Sequence, residues 1–186
     1  EYIYDQSTND YPLTFDDGKY TKTFDGEKIT GNALGFAINY RDRTDDYGVV
    51  LRLRSPGFRT SNGFEKNNST KWLKAGRGKT VYYDNHPKLL KTKYNIETVY
   101  KTNYTGVIKK QELSLSTSSD FKNGDFFKLS GEVEKENFRG IQFDNLYEFE
   151  FGYRNQINSS LKVYNELQSR KIIVRNLDNP KSSGFY

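Results

Sequence analysis

An all-β antiparallel fold is what this sequence predicts, and three observations carry the prediction. Apolar residues recur with a period of two, as in Leu34, Phe36, Ile38 and Tyr40, which places every second side chain on one face of a strand. Clusters of Gly, Asn, Asp and Ser separate these runs, at Asp16-Asp17-Gly18, Ser55-Pro56-Gly57 and Asp120 to Asp125, where tight turns form easily. Hydrophobic residues are only 34% of the 186, yet aromatics are 16%, and disordered chains are depleted in aromatics. Eight or more short strands with one apolar and one polar face describe a two-sheet, jelly-roll-like sandwich, with a closed antiparallel barrel as the alternative. The length fits one domain over residues 1–186.

Taken in order, residues 1–31 are acidic and aromatic, and Asp16-Asp17-Gly18 and Asp25-Gly26 are each suited to a hairpin turn. Leu34 to Tyr40 is a strand, Arg41 to Gly48 a polar turn, and Val49 to Arg54 a second strand that ends at Pro56. Residues 57–78 hold Gly, Asn, Ser, Thr and Lys around a lone Trp72-Leu73 cluster, the composition of a long exposed loop. Val81 to Tyr83 is a short strand, Asp84 to Pro87 a turn, and Tyr94 to Tyr100 alternates again. Beyond it Leu113 and Leu115, Phe127 to Val133, and the ladder Tyr147, Phe149, Phe151, Tyr153 read as strands. Leu161 and Val163 open a further strand and Ile172 and Val174 another, with Ser160 to Arg170 the one segment suited to a short helix. An outer-membrane barrel is set aside at this stage, because Lys, Glu and Asn interrupt the apolar alternation that a lipid-facing band requires. No apolar run reaches the roughly 18 residues of a spanning helix, so no membrane span is expected.

Charge is the strongest asymmetry. Residues 52–110 carry fourteen Lys and Arg against three acids, net +11, whereas residues 1–51 are net −5 and residues 111–186 net −1. Such a segment creates a positive field that attracts polyanions and weakens with salt; its bland reading is lysines blunting strand edges. It also contains the only Trp, Trp72, and the only His, His86. Lys71, Trp72, Lys74, Arg77, Lys79, Tyr82, Tyr83 and His86 are therefore the candidate ligand-binding residues, with aromatic faces for stacking and cations for an anion. Gly78-Lys79-Thr80 invites comparison with a phosphate-binding loop, but Leu73 stands where that motif needs glycine. No nucleic-acid-binding signature appears.

The remaining chemistry is sparse. Without cysteine, thiolate metal sites and disulfides are excluded, and one histidine excludes a histidine-rich metal site. Tyr153, Arg154, Gln156 and His86 are the set a uronate lyase would use, one group to move the proton and others to neutralise a carboxylate. Glu148 with Glu150, and Glu132 with Glu134, are paired carboxylates of the kind a glycosidase needs, and also of the kind any solvated strand face supplies. Asp16, Asp17 and Asp25, and the group Asp42, Asp45 and Asp46, offer oxygen ligands for Ca²⁺ without EF-hand spacing; turn formation explains them as well. Sequons occur at Asn67, Asn68, Asn103 and Asn158.

With no methionine at all, the chain reads as a mature form or a fragment of a larger secreted protein. The function expected is a non-enzymatic, secreted or surface-exposed adhesion module that binds an acidic polysaccharide or host glycan through the basic segment, with no cofactor. A polysaccharide lyase and a host-protein-binding domain of an adhesin or toxin are the alternatives.

Overall fold

The computed structural model describes residues 30–58, 69–138, 140–175 and 181–182, with strand backbone also at 14–15, 20–21 and 183–184. Eleven strands occur among the described residues: β1 (Thr14–Phe15), β2 (Tyr20–Thr21), β3 (Ala33–Arg41), β4 (Asp45–Arg54), β5 (Thr70–Tyr82), β6 (Leu89–Asn103), β7 (Ile108–Phe121), β8 (Phe126–Phe138), β9 (Ile141–Gln156), β10 (Lys162–Val174) and β11 (Lys181–Gly184). There is no helix among the described residues. β1 and β2 form a separate two-stranded ribbon, and the turn expected at Asp16-Asp17-Gly18 lies outside the described residues.

The other nine strands form one antiparallel sheet in sequence order, from β3 at one edge to β11 at the other. All-β is thus correct, but the described strands make a single meander, not two packed sheets, and it is not closed into a barrel. Short connections explain the meander, every link within the sheet but the 15-residue one between β4 and β5 being two to six residues long. A chain that turns within two to six residues can only lay its next strand beside the last one. At the β7–β8 turn Gly124 adopts φ +88°, a left-handed conformation open to glycine, and its N–H donates to Phe121 O.

Three segments differ from the sequence reading. The loop expected over 57–78 becomes strand from Thr70 onward, because Lys71, Leu73, Ala75 and Arg77 alternate with Trp72, Lys74, Gly76 and Gly78 between two neighbours that complete the backbone ladder. Few of these side chains are apolar, so composition concealed the period. The short helix expected over Ser160–Arg170 is also absent: β10 is continuous and pairs with β9 from Lys162↔Gln156 to Lys171↔Tyr147. The polar turn expected over 41–48 shrinks to Asp42-Arg43-Thr44.

Register divides the side chains into two faces. Opposed residues share a face, so the row Tyr40, Tyr47, Arg77, Ile96, Leu115, Gly131, Phe149 and Ser169 crosses eight strands on one side. On the other side run Ala37, Val50, Lys74, Val99, Glu112, Glu134 and Leu146. The first face holds most of the strand Leu, Ile, Phe and Tyr residues; the second holds most of the charge. Only Phe138, Phe143, Leu146 and Ile173 form a buried apolar core among the described residues.

Candidate functional site

The expected binding residues are distributed by strand alternation. Trp72, Lys74 and Tyr82 stand on the polar face of β5, while Lys71, Arg77 and Lys79 stand on the apolar face. Tyr83 and His86 lie in the β5–β6 turn. The eight residues therefore do not make one surface.

What the register does assemble on the polar face is a segregated charge pattern. Its β3–β6 half carries seven cations (Arg41, Arg52, Arg54, Lys74, Lys91, Lys93, Lys101) and two acids (Asp46, Glu97), net +5. Its β7–β10 half carries five cations and eight acids, net −3. In the basic half the Arg52 guanidinium lies 4.8 Å from the Trp72 ring centroid, and Lys74 Nζ is 2.7 Å from Glu97. A cleft of about 300 Å³ opens beside them, with Gly48, Gly76 and Gly78 as its floor and Asn39, Arg41, Asp46, Lys74, Asn95 and Glu97 around it. The bare floor is required. A Cβ on Gly48 would collide with the Asn39 amide, and one on Gly78 would lie 2.8 Å from Asn95 Oδ1.

The acidic half is internally paired. Lys110 Nζ reaches Glu112 at 2.7 Å and Glu134 at 3.2 Å, and Lys128 Nζ bridges both oxygens of Glu150 at 2.6 and 2.7 Å. Glu112, Glu132 and Glu134 present carboxylate oxygens within 4.8 Å of one another, the one cluster among the described residues able to hold a metal ion. Lys110 already supplies a positive charge there. Both glutamate pairs named from sequence lie on this face, and Glu132 is directly opposite Glu148.

The lyase set is not assembled as such. Tyr153 and Arg154 are adjacent in β9 and point to opposite faces. Tyr153 and Gln156 instead converge on Asp125, which is buried, 8% exposed. Its Oδ2 accepts from Tyr153 Oη at 3.0 Å and Asn123 Nδ2 at 2.8 Å, and its Oδ1 from the Gln156 N–H at 2.7 Å and Asn155 Nδ2 at 3.1 Å. These donors, the Gln156 N–H foremost and then Asn123, hold the Asp125 carboxyl below its ordinary pKa. Sequence reasoning missed this residue, whose only signal was its place after Asn123-Gly124. His86 is committed locally too: its Nδ1 accepts from the Lys88 and Leu89 N–H groups at 3.1 and 2.8 Å, fixing the turn.

The aspartates named as calcium ligands have other partners where they are described. Asp42 Oδ1 accepts from the Thr44 and Asp45 N–H groups, both at 2.7 Å, and Oδ2 from Tyr40 Oη at 2.8 Å. The Asp45 N–H contributes most to lowering its pKa to about 2. Asp45 pairs with Lys79 at 2.7 Å and Asp46 with Arg41 at 2.7 Å. Asp16, Asp17 and Asp25 lie outside the described residues. Of the sequons, Asn103 and Asn158 accept backbone N–H bonds in turns, a structural reason for asparagine there; Asn67 and Asn68 lie outside the described residues. No family model, curated protein or solved structure matches this chain.

The apolar face has a pattern of its own. Along the middle of β5, β6, β7, β8 and β9 its residues are mostly the more exposed ones and the polar-face residues the better covered, Thr92 being a buried exception on the apolar face. Ile38 is 55% and Leu115 52% exposed, whereas the Glu112 and Glu134 side chains are 12% and 14% exposed. The apolar residues form a band across the strands: Phe36 and Ile38, Val49 and Leu51, Leu73 and Ala75, Ile96, Leu113 and Leu115, Leu129 and Val133, Phe149 and Phe151, then Leu167. Tyrosines border it on both sides, Tyr40, Tyr47, Tyr94 and Tyr153 towards one end of the strands, Tyr100 and Tyr147 towards the other. Tyr40 and Tyr47 stack with centroids 4.9 Å apart. Charge on this face is confined to Asp45, Lys71, Arg77, Lys79, Lys109, Lys135, Asp144 and Lys171 among the described residues. Arg77 and Lys79 both reach Asp45, at 3.7 and 2.7 Å.

Proposed function

We propose that this sheet is part of the wall of a membrane-embedded β-barrel, with its apolar face towards lipid and its polar face towards an aqueous interior. The observation that carries the reading is the inverted alternation: apolar side chains are open, and ion-paired polar ones are covered. In a water-soluble sheet the apolar face is the one buried against a second layer, and a contiguous exposed apolar area this wide needs an occupant. Lipid fits the pattern better than a protein layer does. The band runs continuously across eight strands, and tyrosines, whose rings have one apolar and one wet end, border it on both sides, as in the aromatic girdles of outer-membrane barrels. Strands β3 to β10 are 9 to 16 residues long, at or above the roughly 9 to 11 a tilted strand needs to cross a bilayer. The face opposite is rich in Ser, Gly and Lys–Glu pairs, suited to water.

This reading takes the barrel alternative from the sequence and reverses its expectation of no membrane span. Interruptions by Lys, Glu and Asn, which argued against lipid, fall mainly on the polar face. A closed wall would pair the exposed edge of β3 with a further strand and so remove an edge prone to aggregation. The test is refolding in the presence of phosphatidylcholine vesicles. Co-flotation with the vesicles and protection of strand peptides from added protease are expected. A monodisperse, soluble protein that ignores vesicles would instead point to a second protein layer on the apolar face, as in the sandwich, and would overturn the proposal.

A further inference from the structure

We infer that the glycine-floored cleft on the β3–β6 half of the polar face is a binding site for an acidic saccharide, a hydroxyl-rich ligand with well-spaced carboxylates. The inference goes beyond the barrel reading and requires only that the polar face meet water.

The cleft's glycines make room for the Asn39 and Asn95 amides, and the result is an open polar floor. Gly48 and Gly76 are paired directly across β4 and β5, and Gly78 follows on the same face, all in strand interiors. Glycine there weakens a strand and marks close approach of another group. The Asn39 amide, laid over Gly48, makes no side-chain hydrogen bond among the described residues, whereas Asn95 Nδ2 donates to Ser116 Oγ at 3.1 Å. An amide offers both donor and acceptor, which suits a hydroxyl. Trp72 lies outside the cleft's lining but on the same face, two residues from Lys74 and about 6.6 Å away by strand rise, and offers an apolar ring, with Arg52 over one side, to a sugar that extends beyond the cleft.

Charge selects the class of ligand. The half-face is net positive through Arg41, Arg52 and Lys74 among others, so an anion is attracted. Asp46 and Glu97, however, stand inside the cleft. They would repel a dense polyphosphate, but they accept hydrogen bonds from hydroxyls. A ligand with spaced carboxylates between hydroxyls satisfies both signs, and a cleft of about 300 Å³ lies at the lower end of the size range of small-ligand sites, roughly 300 to 1,000 Å³.

Trp72 is the only tryptophan and stands beside the cleft, two residues from its lining Lys74, so its fluorescence reports on ligand that reaches past the cleft towards it. The experiment titrates the protein with galacturonate oligomers, and with neutral dextran and inorganic polyphosphate for comparison. A saturable change with the galacturonate oligomer alone is expected, weakening as salt rises. In a variant combining Arg41→Gln, Arg52→Gln and Lys74→Gln, with an unchanged circular dichroism spectrum, affinity falls by about tenfold or more, a difference of about 1.4 kcal/mol or more. Lys128→Gln, on the acidic half, leaves it unchanged. Should the triple variant not fold, the salt dependence and the dextran comparison on the unaltered protein still decide. No fluorescence response, an equal response to dextran, or tighter binding of polyphosphate would overturn the assignment. None of these outcomes depends on whether the protein enters vesicles, so the site and the barrel reading fail separately.

Discussion

On the face that carries Ile38, Leu115 and Phe149 the side chains stand open, whereas one residue along each strand, at Glu112, Ser116 or Glu150, they are covered and paired. The two faces share one backbone ladder, so the difference lies entirely in side-chain chemistry. The polar face satisfies itself, through Lys110 with Glu112 and Glu134, Lys128 with Glu150, and Asn95 with Ser116 at 3.1 Å. The apolar face cannot satisfy itself, because dispersion and water exclusion need a partner surface. Such a sheet is half of a structure, and the chemistry of its open side indicates the other half.

The sharpest way to break this comparison is to place one charge on either face. Leu115→Arg should cost about 2 to 4 kcal/mol of stability in vesicles, the cost of arginine near a bilayer midplane, whereas Ser116→Arg, one residue on, should stay within about 1 kcal/mol, as for surface changes. Urea unfolding of vesicle-bound protein reads both, and equal costs would remove the distinction between the faces. Next in size, Lys110→Ala leaves Glu112 and Glu134 without their shared cation and should cost about 1 to 3 kcal/mol.

Acid probes the wet side of the β7–β8 turn. Because the Asp125 pKa is depressed in the folded protein, its contribution is present above the unfolded carboxylate pKa of about 3.9 and is lost as pH falls through the lower folded value. The urea midpoint should therefore fall from pH 7 to pH 3, and Asp125→Asn should flatten that dependence. Arg41→Ala should change stability least, by about 1 kcal/mol or less, since Arg41 is 79% exposed in its pair with Asp46. A larger loss would show that the β3 edge is packed against something further.

Much of this fold is legible in the sequence, and what is not has physical causes. Leu34 to Tyr40, Val49 to Leu53 and Tyr147 to Tyr153 announce their strands, because both the period and the apolar residues are present. β5 is concealed because Trp72, Lys74, Gly76 and Gly78 make one face of polar residues and glycine, and Arg77 and Lys79 break the other. β10 is concealed because Asn165 and Ser169 interrupt its apolar set on either side of Leu167. The number of sheets is not a local property: alternation shows that a face is apolar, and says nothing of what covers it. The candidate site was legible in part. Charge drew notice to residues 52–110, but only register separates Trp72 and Lys74 from Lys71, Arg77 and Lys79, and joins Asn39, Arg41 and Asp46 to the former. Asp125 gave almost no signal, since its partners Tyr153, Asn155 and Gln156 arrive from the end of β9.

The central claim, that the apolar face meets lipid, is tested most directly by quenching with brominated acyl chains. On a Trp72→Phe background, single tryptophans are introduced at Ile38, Leu115 and Phe149 on one face, and at Ser114, Ser116 and Ser130 on the other. The account predicts strong quenching at the first three and little at the second three in the same vesicles. Equal quenching on both faces, or none at Ile38, Leu115 and Phe149, would contradict it.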